Sequence, residues 1–127
     1  MFCICGFTEL IVPGFIETVA DGMFSDCGEL RSVTISDSVK TVGSGAFEWC
    51  LKLTEVTVPE SVTLIQSNAF YNCPLANVYY AGTVEQWRGV FTPAEIRTSD
   101  NIYTCTVHCK DGTLTFDYYF NPYEGIQ

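Results

Sequence analysis

Apolar residues over the first 87 positions of the chain fall into a repeating phase. Residues 7–29, FTELIVPGFIETVADGMFSDCGE, align with 30–52, LRSVTISDSVKTVGSGAFEWCLK, and with 53–74, LTEVTVPESVTLIQSNAFYNCP. A fourth copy opens at residue 75 as LANVYYAGTVEQW and then departs from the pattern. Position 1 is apolar (Phe7, Leu30, Leu53, Leu75), and so are positions 4 and 6: Leu10 and Val12, Val33 and Ile35, Val56 and Val58, Val78 and Tyr80. Mostly polar side chains stand at positions 3 and 5, so each copy alternates with the period of two that predicts a strand. Position 7 is Pro13, Ser36, Pro59 or Ala81; proline there ends the strand, because it donates no ladder hydrogen bond. Positions 10 and 13 are apolar again (Ile16 and Val19, Val39 and Val42, Val62 and Ile65), which predicts a second short extended segment. A one-turn helix or tight turn follows, built on a small residue or Met, then Phe, two free positions and Cys.

That last box occurs as MFCIC (1–5), MFSDC (23–27), AFEWC (46–50) and AFYNC (69–73). Its cysteines, Cys5, Cys27, Cys50 and Cys73, stand 22, 23 and 23 residues apart. A period of this length predicts a solenoid. No single copy covers its own apolar side; stacking sets Phe on Phe and Cys on Cys and makes the core continuous. Each coil adds one parallel strand about 4.8 Å from the last.

Residues 30–50, LRSVTISDSVKTVGSGAFEWC, are similar nearly throughout to the repeat of the BspA-like, or treponemal-class, leucine-rich repeats, with Ser36 where proline is usual. That repeat runs Leu-x-x-Val/Ile-x-Ile/Val-Pro-x-x-Val-x-x-Ile-Gly-x-x-Ala-Phe-x-x-Cys. The resemblance covers residues 1–87, and VYYAGTVEQW resembles the closing coil of the family. It implies an α/β fold: a right-handed leucine-rich-repeat solenoid, a short horseshoe of parallel strands closed by a C-terminal β-hairpin cap. The expected organisation is repeats over 1–87 (partial coil 1–6, repeats 7–29, 30–52 and 53–74, terminal coil 75–87) and a cap over 88–127.

Within the cap, Thr92-Pro93-Ala94-Glu95 carries the chemistry of a helix start: a capping hydroxyl, proline at the first helical position, then an acid. Asp111-Gly112 is a hairpin signal between strand-like runs at 102–109 and 113–120. At the other end, MFCICGF supplies only the turn of a coil whose strand is missing, and it is apolar where a solenoid needs a polar cap. Two expectations stay open: the chain is a piece of a longer array, or another chain covers the bare coil, as in an end-to-end homo-oligomer through residues 1–12.

Composition narrows the classes of function. With 127 residues, 47% hydrophobic and 17% charged, the chain supports one buried core. No apolar run approaches the roughly 20 residues of a membrane helix, so membrane insertion is not expected. MFCICGFTELIVPGF lacks a basic start and carries Glu9, so it does not read as a signal peptide. Fifteen acidic and six basic side chains give a net charge of −9. That sign argues against nucleic acid and against anionic membrane surfaces, and its plain consequence is solubility. Seven cysteines would suggest disulfides. Four at one repeat position face the core instead, and read as free buried thiols packing as compact hydrophobes.

Catalytic and metal chemistry find no constellation. In TCTVHC alternation sets Cys105, Val107 and Cys109 on one face and His108, the one histidine, on the other. Cys105 and Cys109 are separated by roughly 13 Å of strand, too far for a zinc half-site. No exposed low-pKa thiol pairs with His108, and the carboxylates are scattered over repeat positions. Gly43 and Gly45 form a turn before the Phe box rather than a phosphate loop. Tyr79, Tyr80 and Trp87 read as filling of the last coil before they read as a sugar-binding shelf. Neither an enzyme activity nor a cofactor is expected.

A solenoid displays equivalent side chains in rows, so the strand face is the expected partner-binding surface. Its position-3 row is Glu9, Ser32, Glu55 and Asn77, and its position-5 row is Ile11, Thr34, Thr57 and Tyr79. The plain alternative is that threonine suits a strand surface. The resemblance implies a non-enzymatic protein-binding module, cell-surface or secreted, that adheres to a protein partner or a glycan-bearing surface. The competing expectation is a structural subunit that assembles through its uncapped N-terminal coil.

Overall fold

The computed structural model describes residues 6–66, 68–90 and 102–119, with side chains in the last segment described at 105–115. The alternating segments form β1 (Glu9–Ile11), β3 (Ser32–Thr34), β5 (Glu55–Val58) and β7 (Asn77–Tyr80). The second extended segments form β2 (Thr18–Val19), β4 (Thr41–Val42) and β6 (Leu64–Ile65). Both sets stack in parallel with a one-repeat step. Leu10, Val33, Val56 and Val78 are successive partners in one sheet. Val19, Val42 and Ile65 are successive partners in the other. The core lies inside these walls, where Val12, Leu30, Val33, Val42, Leu53, Val56 and Val58 have almost no solvent contact. The solenoid read from the 23-residue period is therefore the observed architecture.

The Phe boxes are tight turns, and they close the third side of each coil. Phe24 N–H donates to the Ala46 carbonyl at 2.8 Å and Phe47 N–H to that of Ala69 at 2.7 Å. Phe24, Phe47 and Phe70 stack, with centroids 5.4 and 5.3 Å apart. Two left-handed residues shape each of the three described boxes: Gly22, Gly45 and Asn68 before the Phe, and Asp26, Trp49 and Asn72 after it, all with φ between 59° and 65°. Gly, Asn and Asp suit that backbone; Trp49 is the costly exception. Gly43 answers a different need. Its N–H donates to the Val19 carbonyl at 2.7 Å, and a Cβ there would lie 2.7 Å from that oxygen and 2.5 Å from Asp21 Oδ1.

The cysteine row has a polar as well as an apolar role. Cys50 Sγ–H donates to the Phe24 carbonyl at 3.3 Å, and Cys73 Sγ–H to the Phe47 carbonyl at 2.9 Å. Each thiol thus donates to a backbone oxygen of the preceding coil. Cys50, Cys73, Cys105 and Cys109 are free thiols. Cys27 departs from the free-thiol expectation: it is disulfide-bonded. Ser36, at the usual proline position, also serves the stack, donating to the Pro13 carbonyl at 3.0 Å.

The closing coil contains a helix that the repeat pattern did not announce, α1 (Val84–Val90). Thr83 and Gln86 cap it reciprocally: Gln86 N–H donates to Thr83 Oγ1 at 3.1 Å, and Thr83 N–H to Gln86 Oε1 at 2.8 Å. The helix buries Trp87 and Val90 and sets Trp87 on Tyr80 with centroids 5.2 Å apart. The helix start expected at Thr92–Glu95 lies outside the described residues.

The expected hairpin is β8 (Ile102–Cys109) and β9 (Gly112–Tyr119), paired antiparallel. Cys109 pairs with Gly112, so the two loop residues are Lys110 and Asp111, one step earlier than the Asp-Gly signal suggested. That loop docks on the closing coil. Asp111 Oδ1 accepts from Val84 N–H at 2.9 Å, and Lys110 N–H donates to the Gly82 carbonyl at 2.9 Å. β8 also pairs in parallel with β7, so the sheet runs β1-β3-β5-β7-β8-β9.

Candidate functional site

The eight residues singled out on the strand face all lie on the six-stranded sheet, in two registered rows. Glu9, Ser32, Glu55 and Asn77 are successive partners, and so are Ile11, Thr34, Thr57 and Tyr79. The rows do not stop there. Asn77 pairs with Thr106 and Tyr79 with His108; across the hairpin, Thr106 faces Thr115 and His108 faces Thr113. Four more residues therefore join the surface. Alternation had already turned His108 away from Cys105 and Val107, both of which are fully buried; what was missing was the parallel register of β8.

The added strand orders one end of the face. The Tyr79 and His108 rings stack with centroids 4.9 Å apart and planes 13° from parallel. His108 Nε2 lies 2.9 Å from Asn77 Oδ1. Tyr79 keeps 41% of its surface exposed, and Glu55, Thr57, Thr113 and Thr115 are exposed beside it. Tyr80 and Trp87 are buried, so the three aromatics do not converge on a shelf; Tyr79 alone reaches the surface. At the opposite end Ile11 is 73% exposed. No Lys or Arg stands in either row.

The thiols sit away from this face, and burial raises three of the free ones, whereas a hydrogen bond with Cys73 lowers Cys50 against the opposing effect of its own burial. Burial pushes Cys105 up to about 12 and raises Cys73 well above the ordinary thiol range. Cys109 is raised by burial and then by the Asp111 carboxylate. A nucleophile needs the opposite shift together with access to solvent; Cys50 has the shift but no solvent exposure. In the turn region burial, and then the charge of Asp26, raises the Glu48 carboxyl. Among the described residues no three His, Cys, Asp or Glu side chains gather as metal ligands, and no helix is long and apolar enough to cross a membrane.

Comparison with known proteins places these coils. No curated protein matches the sequence. One solved structure similar to this chain is a leucine-rich cell surface protein from Faecalibacterium prausnitzii A2-165. It is 21% identical with a TM-score of 0.41; the match covers 66% of this chain, which spans 35% of that one. The model of the BspA type leucine rich repeat region (6 copies) matches residues 1–91. With the in-register coils and the Phe and Cys rows of that repeat, the chain belongs to the BspA-type leucine-rich-repeat family.

Proposed function

We propose that this chain is a non-enzymatic binding module that holds a protein partner on its strand face, as part of a cell-surface or secreted protein. The observation that carries the reading is the continuity of two mostly polar rows over six strands, with the Tyr79–His108 stack toward one end. A flat run of equivalent, solvent-facing side chains offers many small contacts around one aromatic anchor, the arrangement that binding surfaces favour. The likeness to a leucine-rich cell surface protein supports the setting rather than the partner.

The test uses peptides selected from a random phage library on the immobilised chain. Glu9→Ala, Glu55→Ala and Tyr79→Ala are expected to weaken the selected peptides, and the off-face variant Glu85→Ala to leave them unchanged. Retention of full binding by all three face variants would refute the strand-face reading.

One observation favours assembly as a second reading. In the first described coil Phe7, Ile11 and Phe15 are exposed at 41%, 73% and 84%, where the next two coils carry buried Leu30 and Leu53, then Thr34 and Thr57, then Ser38 and Ser61. Light scattering across a concentration series with reductant tests it: a monomer throughout rejects assembly through this coil. Residues 1–5 of the interface expected over 1–12 lie outside the described residues.

A further inference from the structure

We infer that the strand face carries a notch for a basic side chain, walled by Tyr79, floored by Thr57 and flanked by Glu55; the inference rests on the strand face being the binding surface. The Tyr79 and His108 rings are 4.9 Å apart and nearly parallel, close to the spacing of neighbouring strands. The two rings therefore stand upright on the sheet, side by side across β7 and β8. One face of Tyr79 is covered by His108, and the other looks over β5, where its registered partner is Thr57. A threonine is too short to cover an upright phenol ring, which is why Tyr79 remains 41% exposed despite its stack. Glu55 lies two residues before Thr57 on the same face of β5, opposite Asn77, which places its carboxylate diagonally beside the open ring face.

Charge complementarity selects the occupant. Lys and Arg are absent from both rows, which hold Glu9 and Glu55, and among the described residues the salt bridge formed, Lys52–Glu29, is off this face. The open face of an aromatic ring attracts a cation through its quadrupole, and the adjacent carboxylate supplies the counter-charge and a hydrogen-bond acceptor. His108, buttressing the far face and tied to Asn77 Oδ1 at 2.9 Å, keeps the ring upright. A guanidinium or ammonium group laid on Tyr79 above Thr57 reaches Glu55. The partner is thus a protein segment that presents Arg or Lys to this end of the sheet.

Fluorescence anisotropy with labelled hexa-arginine, and with hexa-serine as control, tests the notch. Hexa-arginine binds in low salt and hexa-serine does not. Glu55→Gln and Tyr79→Thr each weaken binding about two- to fivefold, whereas Glu85→Gln, the same charge removed off the face, has no effect. An equal loss from Glu85→Gln would mean that the net charge alone attracts the peptide, and would overturn the notch. So would an absence of hexa-arginine binding. Thr34→Trp, on the strand next to the notch floor Thr57, blocks the face with no change of charge and separates the two levels. Phage-selected peptides that are lost with Thr34→Trp but indifferent to Glu55→Gln and Tyr79→Thr would leave the strand face standing and remove only the notch; peptides indifferent to all three would remove both.

Discussion

Replacing Phe47 by alanine removes the middle ring of the Phe row. The side chain has no solvent exposure and lies between Phe24 at 5.4 Å and Phe70 at 5.3 Å. A buried Phe→Ala change costs about 3–5 kcal/mol, cavity included. Each aromatic pair is worth about 0.5–1.5 kcal/mol beyond the area it buries. Phe47 loses two such pairs at once, so the cost belongs near the upper end, about 4–5 kcal/mol. A domain of this kind is stable by only about 5–15 kcal/mol, so the alanine variant is marginal. Leucine retains most of the apolar volume and keeps the test within a folded protein. Urea unfolding followed by far-ultraviolet circular dichroism gives each variant's midpoint and slope. A cycle of Phe24→Leu, Phe47→Leu and the double variant isolates one stack, with an expected coupling of about 0.5–1.5 kcal/mol. A Phe47→Ala cost under about 2 kcal/mol at unchanged slope, or no coupling in the cycle, would refute the stacked row.

Four further outcomes are expected. Cys73→Ala strips the donor from the buried Phe47 carbonyl and costs about 1–3 kcal/mol by urea unfolding; Cys73→Ser keeps a donor there and costs less. Cys105 is raised to about 12 in the folded chain, above its unfolded value, so the native state holds the proton longer and stability is full below about pH 8.5 and falls as pH climbs toward 12; urea midpoints measured across that range fall less steeply in Cys105→Ala. Thr83→Ala removes the reciprocal cap of α1 and lowers stability by about 1 kcal/mol in thermal or urea unfolding. Gly43→Ala forces a methyl against the Val19 carbonyl and Asp21 and lowers the melting temperature, while Gly28→Ala, whose Cβ meets nothing within 4 Å, changes it much less.

What was legible in the sequence follows the range of the interactions that encode it. Val33, Ile35, Val56 and Val58 alternate with polar neighbours and recur one repeat apart, so strand, facing and parallel stacking are all written locally and then copied. The rows Glu9 to Asn77 and Ile11 to Tyr79 came with them. The place of His108 was not legible, because the parallel pairing of Tyr79 with His108 joins strands separated by more than twenty residues with no repeat to set their register. α1 had a local signal, Thr83-x-x-Gln86, but the repeat phase drew attention to Trp87 as a core residue and away from the cap. The thiol donors were hidden for a different reason. Cysteine packs as a small hydrophobe in any apolar row, and only the stacking of the coils brings Cys73 Sγ within 2.9 Å of a carbonyl. Trp49 ran against expectation, since a left-handed φ of 63° is ordinarily met by Gly, Asn or Asp.

The most direct test of the functional account is a map of backbone amide chemical-shift changes on titrating the labelled chain with a phage-selected peptide. The account predicts that shifts concentrate in Ser32–Thr34, Glu55–Thr57, Asn77–Tyr79 and Thr106–His108, crossing from the coils into the hairpin without a break. Shifts confined to the Phe-box turns or to α1, with these four segments silent, would contradict it.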